Sequence, residues 1–211
     1  MDTGAITGNT SAGRLLVAVA LVVVLAGCAG GSYSYAAEPA SIDGDVLSDA
    51  GYEHAEPEAI EIDEQFEVAG EGVEIELRSW IAGYERSAGD GLLLVVSTPD
   101  ATVAGQSVNP LARLSGGDLI TRALEASDEG DGEVRDVEEV AVEERTILGQ
   151  ETTVRSYEGV LETDEGDVPI AFHLATVEHD DDVIVLLGVH PQMFDERETQ
   201  LGLMEAVQHE H

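Results

Sequence analysis

The chain has 211 residues, with 44 acidic side chains against nine basic ones and a formal charge of -35. All nine basic residues are Arg and Lys is absent, so a lysine-dependent phosphate loop is excluded. Nucleic acid and anionic lipid head groups would be repelled by such a surface, so neither is expected as a partner.

Leu15 to Ala26 is an unbroken run of Leu, Val and Ala, preceded by Arg14 and followed by Gly27 and the single cysteine, Cys28. The run fits the apolar core of a signal peptide and falls short of the ~20 residues a spanning helix needs. Leu25-Ala26-Gly27-Cys28 reads as a lipoprotein signal, with residues 1–27 removed and a lipid attached to Cys28. The expected address is the outer face of the cytoplasmic membrane, with the bilayer reached through that lipid. An uncleaved anchor with an incidentally buried cysteine is the alternative. Lipidation uses up the only thiol, which removes disulfides, thiol nucleophiles and cysteine metal ligands from the rest of the chain.

Residues 28–40, rich in Gly, Ser, Ala and Tyr, predict a flexible tether, and residues 41–211 a single domain. Ser41 to Gly51 predicts one or two helical turns closed by Gly51. Strand patterns follow. Ile60, Ile62, Phe66 and Val68 keep one register, and Val73, Ile75 and Leu77 alternate with acidic residues until the parity shifts to Trp80, Ala82 and Tyr84, which predicts a bulge near Arg78 or Ser79. The apolar run Leu92 to Ser97 predicts a central strand ended by Pro99. A helix is expected over Leu119 to Ser127, then strands over 137–142, 152–162, 169–178 and 183–189 joined by short turns. A last helix should present Leu201, Met204 and Val207 to the sheet. The expected fold is α+β: a curved antiparallel sheet of about six or seven strands with two helices packed on one face.

Trp80-Ile81-Ala82-Gly83-Tyr84-Glu85-Arg86, Ser97-Thr98-Pro99, Asn109-Pro110, Leu148-Gly149, His179-Asp180-Asp181 and Pro191-Gln192 resemble an uncharacterised family of haloarchaeal lipoproteins, over roughly Gly51 to Gln208. The order of strands and helices is also similar to the PsbP-like fold, whose members serve as accessory or binding modules. The first resemblance implies a membrane-tethered extracytoplasmic protein; neither implies a catalytic residue. A salt-loving source agrees with the charge, because self-repulsion reaches roughly 8 Å at physiological ionic strength and only about 3 Å at 1 M salt. A disordered acidic chain is the competing reading, and the strand patterns weigh against it.

No Gly-x-Ser-x-Gly elbow occurs, and with so many carboxylates any acid pair arises by chance, so no enzyme activity and no cofactor are expected. His173, His190, His209 and His211 are candidates for a metal site if the last helix folds back, although no His-x-x-x-His spacing supports one. The alternative places His173 in or beside the core, His179 in a turn, and His209 and His211 in a frayed tail. Asp128 to Glu133 lacks the ligand order of a calcium loop and reads as a solvated turn. Trp80, Tyr84, Tyr157 and Phe172 either line a ligand groove or fill a core otherwise built from Val and Ala. The expected activity is a non-catalytic binding or accessory module for a surface protein or small ligand, with metal handling as the alternative.

Overall fold

Alternation of Val, Ile and Leu with acidic residues makes long strands, because side chains two apart share a face of the pleat. The computed structural model describes residues 32–68, 71–88, 91–103, 105–107, 109, 116–117, 120, 133–163 and 166–209. Cys28, His211, the signal segment, the acidic loop up to Gly132 and all of the expected helix over 119–127 except Ile120 lie outside them.

In chain order the elements are β1 (Ser32–Ala36), β2 (Ala40–Ile42), α1 (Gly44–Ala50), β3 (Glu58–Val68), β4 (Glu71–Glu85), β5 (Leu92–Pro99), β6 (Thr102–Val103) and β7 (Gln106–Ser107). They continue with β8 (Glu133–Ile147), β9 (Gln150–Thr163), β10 (Gly166–His179), β11 (Asp182–Pro191), α2 (Arg197–Glu205) and β12 (Val207–His209). An eight-stranded sheet runs β1-β4-β5-β11-β10-β9-β8, with β3 also on β4. The domain is therefore more sheet-dominated than expected, and the sheet is mixed rather than antiparallel, because β1 runs parallel to β4. Strands β8 to β11 form successive hairpins. The first turns on Leu148 and Gly149, at φ 50° and 74°, the two left-handed residues that match a hairpin turn to strand twist.

The expected tether divides. Residues 28–31 lie outside the described residues, whereas Ser32–Ala36 is strand β1. Beyond it, Ala37 donates its N–H to Arg78 O, and Glu38 O accepts from Ser97 Oγ. The expected bulge in β4 is absent: the β3–β4 register is unbroken from residue 71 to 81. Instead the covered face changes. Val73, Ile75 and Leu77 pack with Ala101 and Val103, while Ala82 and Tyr84 point to the opposite face, where the helices over Gly44–Ala50 and Arg197–Glu205 lie.

Helix α1 starts at Asp43, whose side chain accepts from Asp45 N, and stops at Gly51 in the left-handed conformation. Its Leu47 and the α2 residues Leu201, Leu203 and Met204 bury against Leu93, Val95, Ile184 and Leu186. Each such side chain stabilises the fold by roughly 1.5–3 kcal/mol. Val207, expected on the last helix, belongs to β12, which pairs antiparallel with β2. A second core on the other face joins Phe172, Leu174, Val185 and Leu187 with Ile120.

Candidate functional site

Two polar clusters sit on the face covered by α1 and α2, both built by β10. The first begins with register: Ser156 of β9 pairs with His173 of β10, and Ala171 with His190 of β11. Ser156 Oγ lies 2.9 Å from His173 Nδ1, His173 Nε2 lies 3.2 Å from His190 Nε2, and His190 Nδ1 lies 3.0 Å from Pro191 O. A carbonyl only accepts, so His190 carries its proton on Nδ1 and, when neutral, accepts at Nε2. His173 must then donate from Nε2 and accept the Ser156 hydroxyl at Nδ1. Burial, with the neighbouring His190 adding to it, holds the His173 pKa down at about 4. A hydroxyl on an imidazole has the geometry of an activated nucleophile, but Ser156, His173 and His190 are 3%, 2% and 5% exposed. The fold uses this chain as buried structure.

The second cluster lies six residues further along β10, about 20 Å away by strand rise. His179 and Asp182 are cross-strand partners on either side of the turn Asp180-Asp181. Strand β12 brings His209 against them, its side chain fully buried. His209 Nε2 is 3.0 Å from Asp182 Oδ2, and the same oxygen accepts from Glu38 N at 2.8 Å. The opposite edge of the His209 ring meets His179, Nδ1 to Nδ1 at 3.0 Å, with Asp180 Oδ2 3.4 Å from His179 Nδ1. Ligand atoms of His179, Asp180 and His209 all lie within 4.8 Å of one another.

A family model described as a domain of unknown function, DUF6517, matches residues 39–208. The chain belongs to this family. Comparison with curated proteins returned no match. Among solved structures, the DUF6517 chain is similar to cyanobacterial PsbP (CyanoP) from Synechocystis sp. PCC 6803, at 12% identity and a TM-score of 0.36, covering 83% of this chain and 94% of that one. It is also similar to PA94, a protein of unknown function from Pseudomonas aeruginosa, at 13% identity and a TM-score of 0.27, covering 66% of this chain and 90% of that one.

The four histidines singled out in the sequence do not form one site in the DUF6517 domain. His173 and His190 are together, His209 is with His179 instead, and His211 is outside the described residues. His209 belongs to a paired strand rather than a frayed tail, because Ala40 of β2 is its register partner. The aromatic groove is absent. Trp80 and Tyr84 point to the side of α1 and α2, whereas Tyr157 and its register partner Phe172 point to the opposite face, so the sheet separates the two pairs. Tyr84 and Phe172 are fully buried, and Tyr84 Oη accepts from Ile42 N at 3.1 Å. Trp80 is half-buried, donates from Nε1 to Ala37 O at 2.8 Å and carries the Arg78 guanidinium 5.3 Å above its ring. Sequence reasoning missed Ser156, Asp180 and Asp182. The signal for Asp182 was available: a two-residue turn makes positions 179 and 182 neighbours on one face.

Proposed function

We propose that this DUF6517 chain is a lipid-anchored extracytoplasmic module, held at the outer face of the cytoplasmic membrane through Cys28, adapted to high salt, and acting by binding a surface protein or small ligand rather than by catalysis. The observation that carries the reading is Leu25-Ala26-Gly27-Cys28 directly behind the apolar run Leu15 to Ala26. The start of the fold supports it: β1 begins at Ser32, so the step from an anchored Cys28 to the first strand spans at most about 14 Å. An anchored module of that kind works close to the bilayer, where a surface rich in carboxylates and free of Lys keeps it from adhering to anionic head groups.

Replacing Cys28 with Ser tests the anchor. The variant should leave the membrane fraction for the soluble one, and the parent should show lipid mass on Cys28. A C28S chain that stays with the membrane would establish the uncleaved-anchor alternative instead. Binding is tested by cross-linking on intact cells in molar salt, where recovery only as an unpartnered species counts against it.

A further inference from the structure

We propose that His179, Asp180 and His209 form a binding site for a divalent transition-metal ion, Zn²⁺ in the first instance, with Asp182 orienting His209. This inference is independent of the lipid anchor and concerns residues that neither the family match nor the sequence motifs single out as a set.

Tautomer is the first argument. Asp182 receives the Nε2 proton of His209, and the Glu38 N–H fixes the same carboxylate oxygen. A neutral His209 therefore presents a bare Nδ1 lone pair. That lone pair faces His179 Nδ1 at 3.0 Å, and Asp180 Oδ2 stands 3.4 Å from the same His179 atom. Three electron-rich atoms converge, and in the metal-free state only one proton, on His179 Nδ1, can lie among them. A cation satisfies all three. The carboxylate behind His209 is the arrangement that orients metal-binding imidazoles and raises their basicity.

Distance is the second. Zn–N bonds of roughly 2.0–2.1 Å at tetrahedral angles place ligand atoms about 3.3 Å apart. Two of the three edges, 3.0 and 3.4 Å, bracket that value, and the third lies within 4.8 Å, so a bound ion draws Asp180 and His209 closer. Two imidazoles and one carboxylate favour Zn²⁺ or Cu²⁺ over the oxygen-seeking Mg²⁺ and Ca²⁺. Burial is graded across the site: His209 is sealed, His179 is 25% exposed and Asp180 is 51% exposed. The protein supplies three ligands from the inside, and the fourth position opens to solvent, where water or a ligand atom from a partner completes it.

Placement gives the site a consequence. His209 ends the last strand, His179 and Asp180 belong to the β10–β11 hairpin, and Asp182 holds Glu38 in the link between β1 and β2. A bound ion clamps strand β12 to that hairpin beside the β1–β2 link.

The test uses the purified protein in molar KCl with excess Mg²⁺ to occupy surface carboxylates. After chelator treatment it is dialysed against Zn²⁺, and separately titrated with Co²⁺ as a spectroscopic substitute. One equivalent of Zn²⁺ per chain is expected, with a tetrahedral Co²⁺ absorption band and a raised thermal midpoint. His209 is buried and its replacement risks the fold, so the exposed side carries the test. H179A should abolish stoichiometric binding, D180N should weaken it at least about tenfold while keeping a residue that tolerates the left-handed turn at φ 55°, and H54A should change nothing. Absence of an equivalent of Zn²⁺ in the parent, or retention undiminished in a folded H179A, would overturn the site.

Discussion

The buried hydrogen-bond chain through His173 makes a quantitative prediction about pH. Its imidazole is 2% exposed and titrates at about 4, against 6.5 when free. Between those values the unfolded chain holds a proton that the folded chain refuses, so stability is complete above pH 6.5 and falls as pH drops towards 4. The interval is worth about 3 kcal/mol once pH is below both values, and about 2 kcal/mol at pH 5. The geometry gives the cause: a proton added to His173 must go to Nδ1, which already accepts from Ser156, in a buried site that solvates a charge poorly. The other groups acting on it are His190 and Arg197, which oppose protonation, and Glu198, which favours it. Urea unfolding at constant molar KCl, at pH 7 and pH 5, should show the parent losing about 2 kcal/mol more than His173→Gln, an amide that can still accept from Ser156 and donate to His190. The many surface carboxylates titrate in both chains and cancel in the comparison. Equal losses would refute the claim that the fold holds His173 neutral.

Tyr84→Phe removes the hydroxyl that accepts from Ile42 N and should cost about 1–3 kcal/mol in chemical unfolding; a loss near zero would mean that the amide finds another partner. Gly188→Ala drives a methyl group into the Gln200 side chain, whose Nε2 reaches Val189 O at 3.0 Å, and should destabilise by about 1–3 kcal/mol. Pairing it with Gln200→Ala should recover part of that loss, and strict additivity would reject the steric cause. Stability should also rise steeply with KCl as screening shortens, and a fold indifferent to dilution below about 0.2 M would contradict the repulsion argument.

Features set by neighbours in sequence were legible, and those set by distant cover were not. Gly51 as a cap, Leu92 to Ser97 as an inner strand and the turns after Ile147 and His179 all follow from local conformational rules. The parity change in β4 was visible but carried the wrong cause. A bulge and a switch of covered face leave the same pattern, and only the position of Ala101 and Val103 distinguishes them. Ser32–Ala36 reads as tether because its partner, Glu74–Arg78, lies some forty residues away, and its short Ser-Tyr alternation sits in a Gly/Ser/Ala-rich stretch with no apolar face to bury. The histidines divide in the same way. His173 and His190 come together within a single hairpin, whereas His179 meets His209 only because β12 pairs with β2. Histidines were noticed by type, but their grouping depended on that long-range pairing.

The acidic composition has a second role that only the topology discloses. The sheet is open, and among the described residues its long edge strands β3 and β8 each pair on one side only. An unpaired strand edge invites addition of another chain unless charge or irregularity prevents it. Strand β3 carries Glu58, Glu61, Asp63 and Glu67, and β8 carries Glu138, Glu139, Glu143 and Glu144, so two copies meeting edge to edge bring like charges together. Molar salt weakens that repulsion, yet the same salt is what permits the fold. Charge alone therefore protects the edges least under the conditions in which the domain is most stable. Strand β8 adds a device that salt does not screen: its register breaks between Arg135 and Glu138 and again between Glu139 and Ala141, next to the exposed Val140 and Val142. Bulges twist a strand out of the plane an incoming strand needs, and here they sit where the exposed apolar side chains would otherwise favour pairing.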